Sequence, residues 1–263
     1  MSAPSTFTVG NAIGFGWRMT WRNFWRILLV GIVFTAIGFV TSLIAGAGST
    51  VDALSGGEMS TEFNVGTSLI GALIQFLVSI FLALGLIRIA IDVTRGQDVH
   101  VKRLFSFDGY GRYLLAGVVV SIIITIGFLI PFLPFLAIAA ATENGIWLIP
   151  GGILGVLVAI VVSLGVSLFG YFIVDRNAPN ITGLRDSWQI VRPHFWPYLG
   201  LHVLLALINI SLLIAAIIIG ILLIVVGLLV TIPVAMVLVF GISALALAYA
   251  YRTMSGQEVV GAS

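Results

Sequence analysis

Between Pro193 and Tyr251 the chain runs for 59 residues without one Asp, Glu, Lys or Arg. No soluble core hides a segment of that kind, because roughly a quarter of the residues in an ordinary soluble domain are charged. A helix needs about 20 apolar residues to cross the hydrocarbon of a bilayer, so this stretch alone holds two spans and a short connection. The rest of the chain agrees with it: 60% of the 263 residues are hydrophobic, 8% are charged, and the mean hydropathy is +1.20. The sequence predicts an all-α fold, a polytopic transmembrane helix bundle with lipid as the solvent for most of its surface. There is no cysteine, which excludes disulfides, thiolate metal sites and cysteine nucleophiles.

Four further apolar runs bring the number of spans to six. The first is Ile27 to Val51, followed by a polar loop from Gly48 to Gly66 that holds Asp52, Glu58 and Glu62. Ala45-Gly-Ala47 has the look of a signal-peptidase site, but the apolar run is longer than a leader's, and a retained helix is expected. The second span covers about Thr67 to Ile91 and closes on Arg88; the third lies between Arg112 and Glu143, where Pro131 and Pro134 are expected to kink or end the helix. The fourth, about Pro150 to Val174, places Gly151, Gly155, Ala159, Ser163 and Ser167 at four-residue steps, a seam of small side chains suited to close helix packing. In the last run the turn is expected between Gly220 and Thr231, as a simple turn or a re-entrant segment, with Pro233 in the first turn of the sixth helix.

Amphipathic segments precede some of these spans. Met1 to Val9 is polar, and a first helix is expected from near Asn11. Along it Ile13, Trp17, Trp21 and Phe24 recur at three- and four-residue steps, while Arg18, Arg22 and Arg26 form a second stripe about 100° around the helix. A helix of this type lies in the interface, with indole rings at headgroup depth and guanidinium groups on lipid phosphates. The cleanest such helix spans Leu184-Arg-Asp-Ser-Trp-Gln-Ile-Val-Arg-Pro-His-Phe-Trp196, where Ile181, Leu184, Trp188, Val191 and Phe195 keep the 3.6-residue period and Thr182 is the expected N-cap. Trp17, Arg18, Arg22, Trp25, Arg185, Trp188, Arg192 and Trp196 are therefore the candidate contacts for lipid headgroups. Between them, Val101, Leu104 and Phe105 suggest a shorter amphipathic turn.

The two tryptophan-bearing segments superpose with an offset of 171 residues, Trp17 on Trp188, Phe24 on Phe195 and Trp25 on Trp196. A weaker spacing of 83 residues relates Tyr113 to Trp196 and Leu-Ile-Pro150 to Thr-Ile-Pro233. The reading is a single membrane domain over 1–263 with a weak threefold internal repeat, pseudo-repeats at about 10–95, 99–177 and 180–257, each a surface helix followed by two spans. Two spans return the chain to its starting side, so the repeats are parallel rather than inverted.

Charge fixes the orientation. With the N-terminus inside, all 12 basic residues fall on inner segments, while the outer loops hold Asp52, Glu58, Glu62 and Glu143. Positive-inside bias on that scale predicts a multi-pass protein with both N- and C-termini cytoplasmic, and cytoplasmic interfacial helices.

Asn11-Ala-Ile-Gly-Phe-Gly-Trp17, Phe24-Trp25, Leu184-Arg-Asp-Ser-Trp188, Phe195-Trp196, Val230-Thr-Ile-Pro233 and Ala248-Tyr-Ala-Tyr-Arg252 together carry a resemblance. Over nearly its whole length the chain resembles a bacterial family of uncharacterised six-helix membrane proteins related to the membrane domain of glycerophosphodiester phosphodiesterases. The resemblance implies a bacterial inner (plasma) membrane location. It covers the membrane part only, with no length for the catalytic domain, and implies no phosphodiesterase activity.

Ionisable groups at membrane depth mark ion and proton pathways, and no span carries one at its centre. Gln75, His202 and Asn209 are the intramembrane polar candidates, most simply read as hydrogen-bonded to neighbouring helices. No HExxH, phosphate loop or serine elbow is present, so no catalytic, metal or cofactor residue is assigned. In the cytoplasmic connections Asp92, Asp98, His100, Asp108, Asp175, Asp186 and His194 are the groups available to an enzyme, and they form no recognised motif. The expectation is a non-catalytic integral membrane protein acting as a scaffold, partner-binding or lipid-organising component. Its partners would be membrane lipids and, beyond them, another membrane protein or a second copy of the chain, not nucleic acid. The alternative is a transporter or channel for a lipid or small apolar solute, which a continuous polar cavity would favour and a closely packed interior would disfavour.

Overall fold

A computed structural model describes residues 7–55, 61–176, 178, 180–223 and 226–261, with side chains described throughout except at 44–69, 180, 181, 226 and 228–230. Among the described residues the only regular secondary structure is helix. It comprises α1 (Val9–Arg22), α2 (Phe24–Ser55), α3 (Thr61–Thr94), α4 (Tyr110–Ala141), α5 (Leu148–Val166), α6 (Phe169–Arg176), α7 (Asn180–Val191), α8 (Phe195–Leu222) and α9 (Val226–Met254), with 3₁₀ turns at Val101–Phe105, Gly145–Trp147 and Arg192–His194. Six helical stretches are long and apolar enough to cross a membrane. Helix is the form the sequence must take there, since lipid offers backbone N–H and C=O groups no other partner. The chain is a multi-pass membrane protein.

Several boundaries differ from the sequence expectation. The outer loop expected over Gly48–Gly66 is largely helical backbone, since α2 runs to Ser55 and α3 starts at Thr61; Glu58 lies outside the described residues. Arg88 does not close the second span, because α3 continues six residues beyond it to Thr94. Neither Pro131 nor Pro134 ends α4, which persists to Ala141. Each proline removes one N–H, but stopping the helix in hydrocarbon would strand several backbone groups instead. Pro233 stands eighth in α9 rather than in its first turn, and most of 220–231 belongs to α8 and α9 themselves. Thr182 is not the cap of α7, which already begins at Asn180. The short turn expected at Val101, Leu104 and Phe105 is a five-residue 3₁₀ turn with Leu104 buried and Phe105 exposed.

The helices fall into two compact units, Met1–Asp108 with Gly200–Ser263, and Gly109–Leu199. In the first, α1 lies on α9 so closely that a Cβ at Gly16 would sit 2.7 Å from the Ile242 carbonyl oxygen, and Phe15 packs on Tyr249 with ring centroids 5.1 Å apart. α2, α3 and α9 enclose an apolar interior in which a Cβ at Gly31 would collide with Val237 and Phe34 meets Phe240 at 5.3 Å. The 3₁₀ turn rests on α3, where a Cβ at Gly85 would lie 2.8 Å from the Leu104 backbone. The chain end is tied down by the Val260 N–H donating to the Thr94 carbonyl at 3.0 Å.

In the second unit α4 and α5 form the expected seam. A Cβ at Gly151 would lie 2.6 Å from Phe135, and one at Gly155 would lie 2.9 Å from the Phe128 ring. The small residues thus let aromatic side chains of α4 sit against the α5 backbone. The fourth span is not one helix: it breaks at Ser167 and Leu168 between α5 and α6.

Candidate interfacial site

α1 presents two faces with different work. Ala12, Phe15, Gly16, Met19 and Thr20 are buried, and the small members of this face are what allow the helix to lie on α9. Trp17 and Trp21 point the other way, 44% and 49% exposed. They continue into an aromatic ladder, Trp17 edge-on to Trp21 at 5.9 Å, Trp21 stacked on Phe24 at 5.4 Å, and Phe24 edge-on to Trp25. Arg18 and Arg22 are exposed beside it. The helix starts at Thr8, whose hydroxyl accepts from the Asn11 N–H at 3.3 Å. It stops at Asn23, where the chain bends directly into α2 and the Asn23 side-chain amide donates to the Met19 carbonyl at 3.1 Å.

α7 is held by the break in the fourth span. Ser187 is fully buried; its hydroxyl donates to the Gly165 carbonyl at 2.8 Å and accepts from the Leu168 N–H at 3.1 Å. One side chain therefore closes two backbone groups that the interruption of the α5–α6 ladder leaves open. Ser167 adds a second polar link at the same level, 2.7 Å from the Tyr198 hydroxyl. Next to Ser187 the Trp188 ring lies over Gly165, where a Cβ would collide with it. These anchors went unrecognised in the sequence, because only the tertiary fold brings Ser187 to residues about 20 positions upstream.

Beside that contact is a cleft of about 300 Å³ lined by Val161 and Gly165 of α5, Trp188 and Val191 of α7, Arg192 and Phe195. Gly165 and Val191 are buried at its floor, while Val161, Trp188 and Arg192 are exposed at its edges. Trp196, 77% exposed, opens α8 as Trp25, 78% exposed, opens α2. Arg185 is exposed on α7.

The chain matches no protein-family model, no curated protein and no solved structure.

Of the intramembrane polar residues, Asn209 is engaged as expected, donating to the Ser243 hydroxyl at 3.1 Å from α8 to α9. Gln75 is half-buried on α3, and its carbonyl oxygen has no hydrogen-bond partner among the described residues. His202 is half-buried on α8. Near the end of α3 the sequence missed a structural cluster. Arg88, 6% exposed, donates to the carbonyls of Ser106 and Asp108, and Asp92 accepts from Arg103 at 2.9 Å. Asp98 pairs with Arg26, and Asp108 accepts from the Ser106 hydroxyl at 2.7 Å. Asp92, Asp98 and Asp108 thus bind the connection between α3 and α4 to its surroundings. Among the described residues no three His, Asp or Glu gather in a metal-ligating group.

Proposed function

We propose that the protein is a non-catalytic, membrane-embedded scaffold that organises anionic lipid around its Trp- and Arg-bearing surface helices. The observation that carries this reading is a matter of depth. α5 has 19 residues, about 28 Å at 1.5 Å per residue, close to the ~30 Å thickness of bilayer hydrocarbon. The exposed Trp147 stands at one end of it and the break that anchors Ser187 and Trp188 at the other. α7 packs at that end of α5, and Arg185 on it and Arg192 directly after it would meet headgroups there. In α1 the same logic applies, with one face spent on α9 and the indoles left outward.

The matched pairs Trp17 with Trp188 and Trp25 with Trp196 support a repeat relating the first and third pseudo-repeat units, and the charge distribution supports a cytoplasmic placement of both termini. We extend the proposal to a bacterial plasma-membrane location and to kinship with the glycerophosphodiester phosphodiesterase membrane domain, on the residues that carry the resemblance. The rival reading, a transporter or channel, is weakened by the interior of the first unit. There the cavity between α2, α3 and α9 amounts to about 40 Å³, walled by residues such as Val30, Phe34, Ile89 and Val237.

The test is the lipid that copurifies with the protein from its native membrane, identified by mass spectrometry. Basic residues near an anionic surface contribute about 1 kcal/mol each, roughly a fivefold preference. Anionic phospholipid should be enriched over the bulk membrane, and changing Arg18, Arg22, Arg185 and Arg192 together to Gln should remove the enrichment. A bulk composition that the fourfold variant leaves unchanged contradicts the proposal.

A further inference from the structure

We infer that the cleft between α5 and α7 is a site for one anionic phospholipid, with an acyl chain along Val161 and Gly165 and the phosphate on the Arg192 guanidinium. The inference rests on the lipid-organising reading and narrows it to one place. Five of the six lining residues are apolar and the sixth is the exposed Arg192; no carboxylate lines the cleft. Arg192 directly follows the end of α7, and Val161 stands one turn before Gly165 in α5, so the charge and the apolar lining face one another from different elements.

Gly165 sets the position of one wall. With no side chain there, the Trp188 ring settles on the α5 backbone and forms one wall, leaving Phe195 and Val191 to complete the slot. At about 300 Å³ the cleft is at the small end of ligand sites, which selects one chain rather than a whole two-chain lipid. On α1, Trp17 turns edge-on to Trp21 instead. Charge complementarity decides the occupant. A neutral apolar solute would leave Arg192 unused, whereas a phosphodiester takes two of its parallel N–H donors.

The measurement is native mass spectrometry of the full chain released from nanodiscs of equal phosphatidylglycerol and phosphatidylcholine. Wild type should retain one lipid with phosphatidylglycerol favoured about fivefold or more. Arg192→Gln should keep a bound lipid and lose the preference, Arg192→Lys should restore it, and Arg22→Gln should lower the preference clearly less than Arg192→Gln does. Val161→Phe, on an exposed wall, fills the slot and should remove the retained lipid of both classes. Val161→Met serves as a smaller filling, with a partial loss expected, should the Phe variant fail to fold. If Val161→Phe and Val161→Met retain lipid as wild type does, or if Arg22→Gln lowers the preference as much as Arg192→Gln, the cleft is refuted and general attraction by the surface helices stands. If wild type shows no phosphatidylglycerol preference, both readings fall.

Discussion

At Ser187 a hydroxyl with no exposure to solvent serves two backbone groups, the Gly165 carbonyl and the Leu168 N–H. Leaving a buried donor or acceptor unsatisfied costs about 1–3 kcal/mol. Ser187→Ala should lower stability by that amount, read as a fall in thermal or denaturant midpoint in detergent. Ser163→Ala is the contrast, because the Ser163 hydroxyl bonds only the Ile160 carbonyl of its own helix and that carbonyl keeps its place in the ladder; a change within about 0.5 kcal/mol is expected. An equal loss in both variants would show that the break is not held by Ser187. From the sequence alone, Leu184-Arg-Asp-Ser-Trp188 was visible as a distinctive stretch, but only its periodicity could be read. The period placed Trp188 at the interface as a headgroup contact; its ring, 40% exposed, also lies on Gly165 of α5. The period could not assign Ser187, whose partners lie on another helix, nor Gly165, which falls off the four-residue stripe of small residues.

At the scale of elements, that stripe was the most legible feature. Gly151 and Gly155 were placed on a packing face by spacing alone, and both meet aromatic side chains of α4. At Gly155 a Cβ would approach the Phe128 ring to 2.9 Å and its carbonyl oxygen to 3.0 Å, so a larger side chain must push the helices apart. Gly155→Leu should cost about 1–3 kcal/mol by overpacking, measured as a lower midpoint in an SDS unfolding titration. Gly152→Leu, where a Cβ meets nothing within 4 Å, should leave the midpoint nearly unchanged. Helix ends were less legible. Span boundaries were drawn at charges and prolines, yet α3 continues through Arg88 and Asp92, with Arg88 hydrogen-bonded to the Ser106 and Asp108 carbonyls and Asp92 paired with Arg103. α4 passes two prolines because lipid penalises every additional open backbone group. Composition reports what a segment can cross, while the partners that set its ends come from elsewhere in the chain.

For the whole molecule, six spans and an all-α architecture follow from hydropathy so directly that the structure changes only their limits. A common side for the surface helices is a proposal that rests on a further step, the distribution of 12 basic residues against the acidic connections. If that step fails, Arg18 and Arg22 of α1 and Arg185 and Arg192 face the wrong leaflet and the lipid-organising account fails with them. The absence of native cysteine makes the test direct: single cysteines at Asn144, in the turn between α4 and α5, and at Ser255, just after α9, probed with a membrane-impermeant maleimide on intact cells. The account predicts that Asn144→Cys is labelled from outside, and that Ser255→Cys is labelled only after the membrane is permeabilised. Labelling of Ser255→Cys on intact cells, with Asn144→Cys protected, would contradict it.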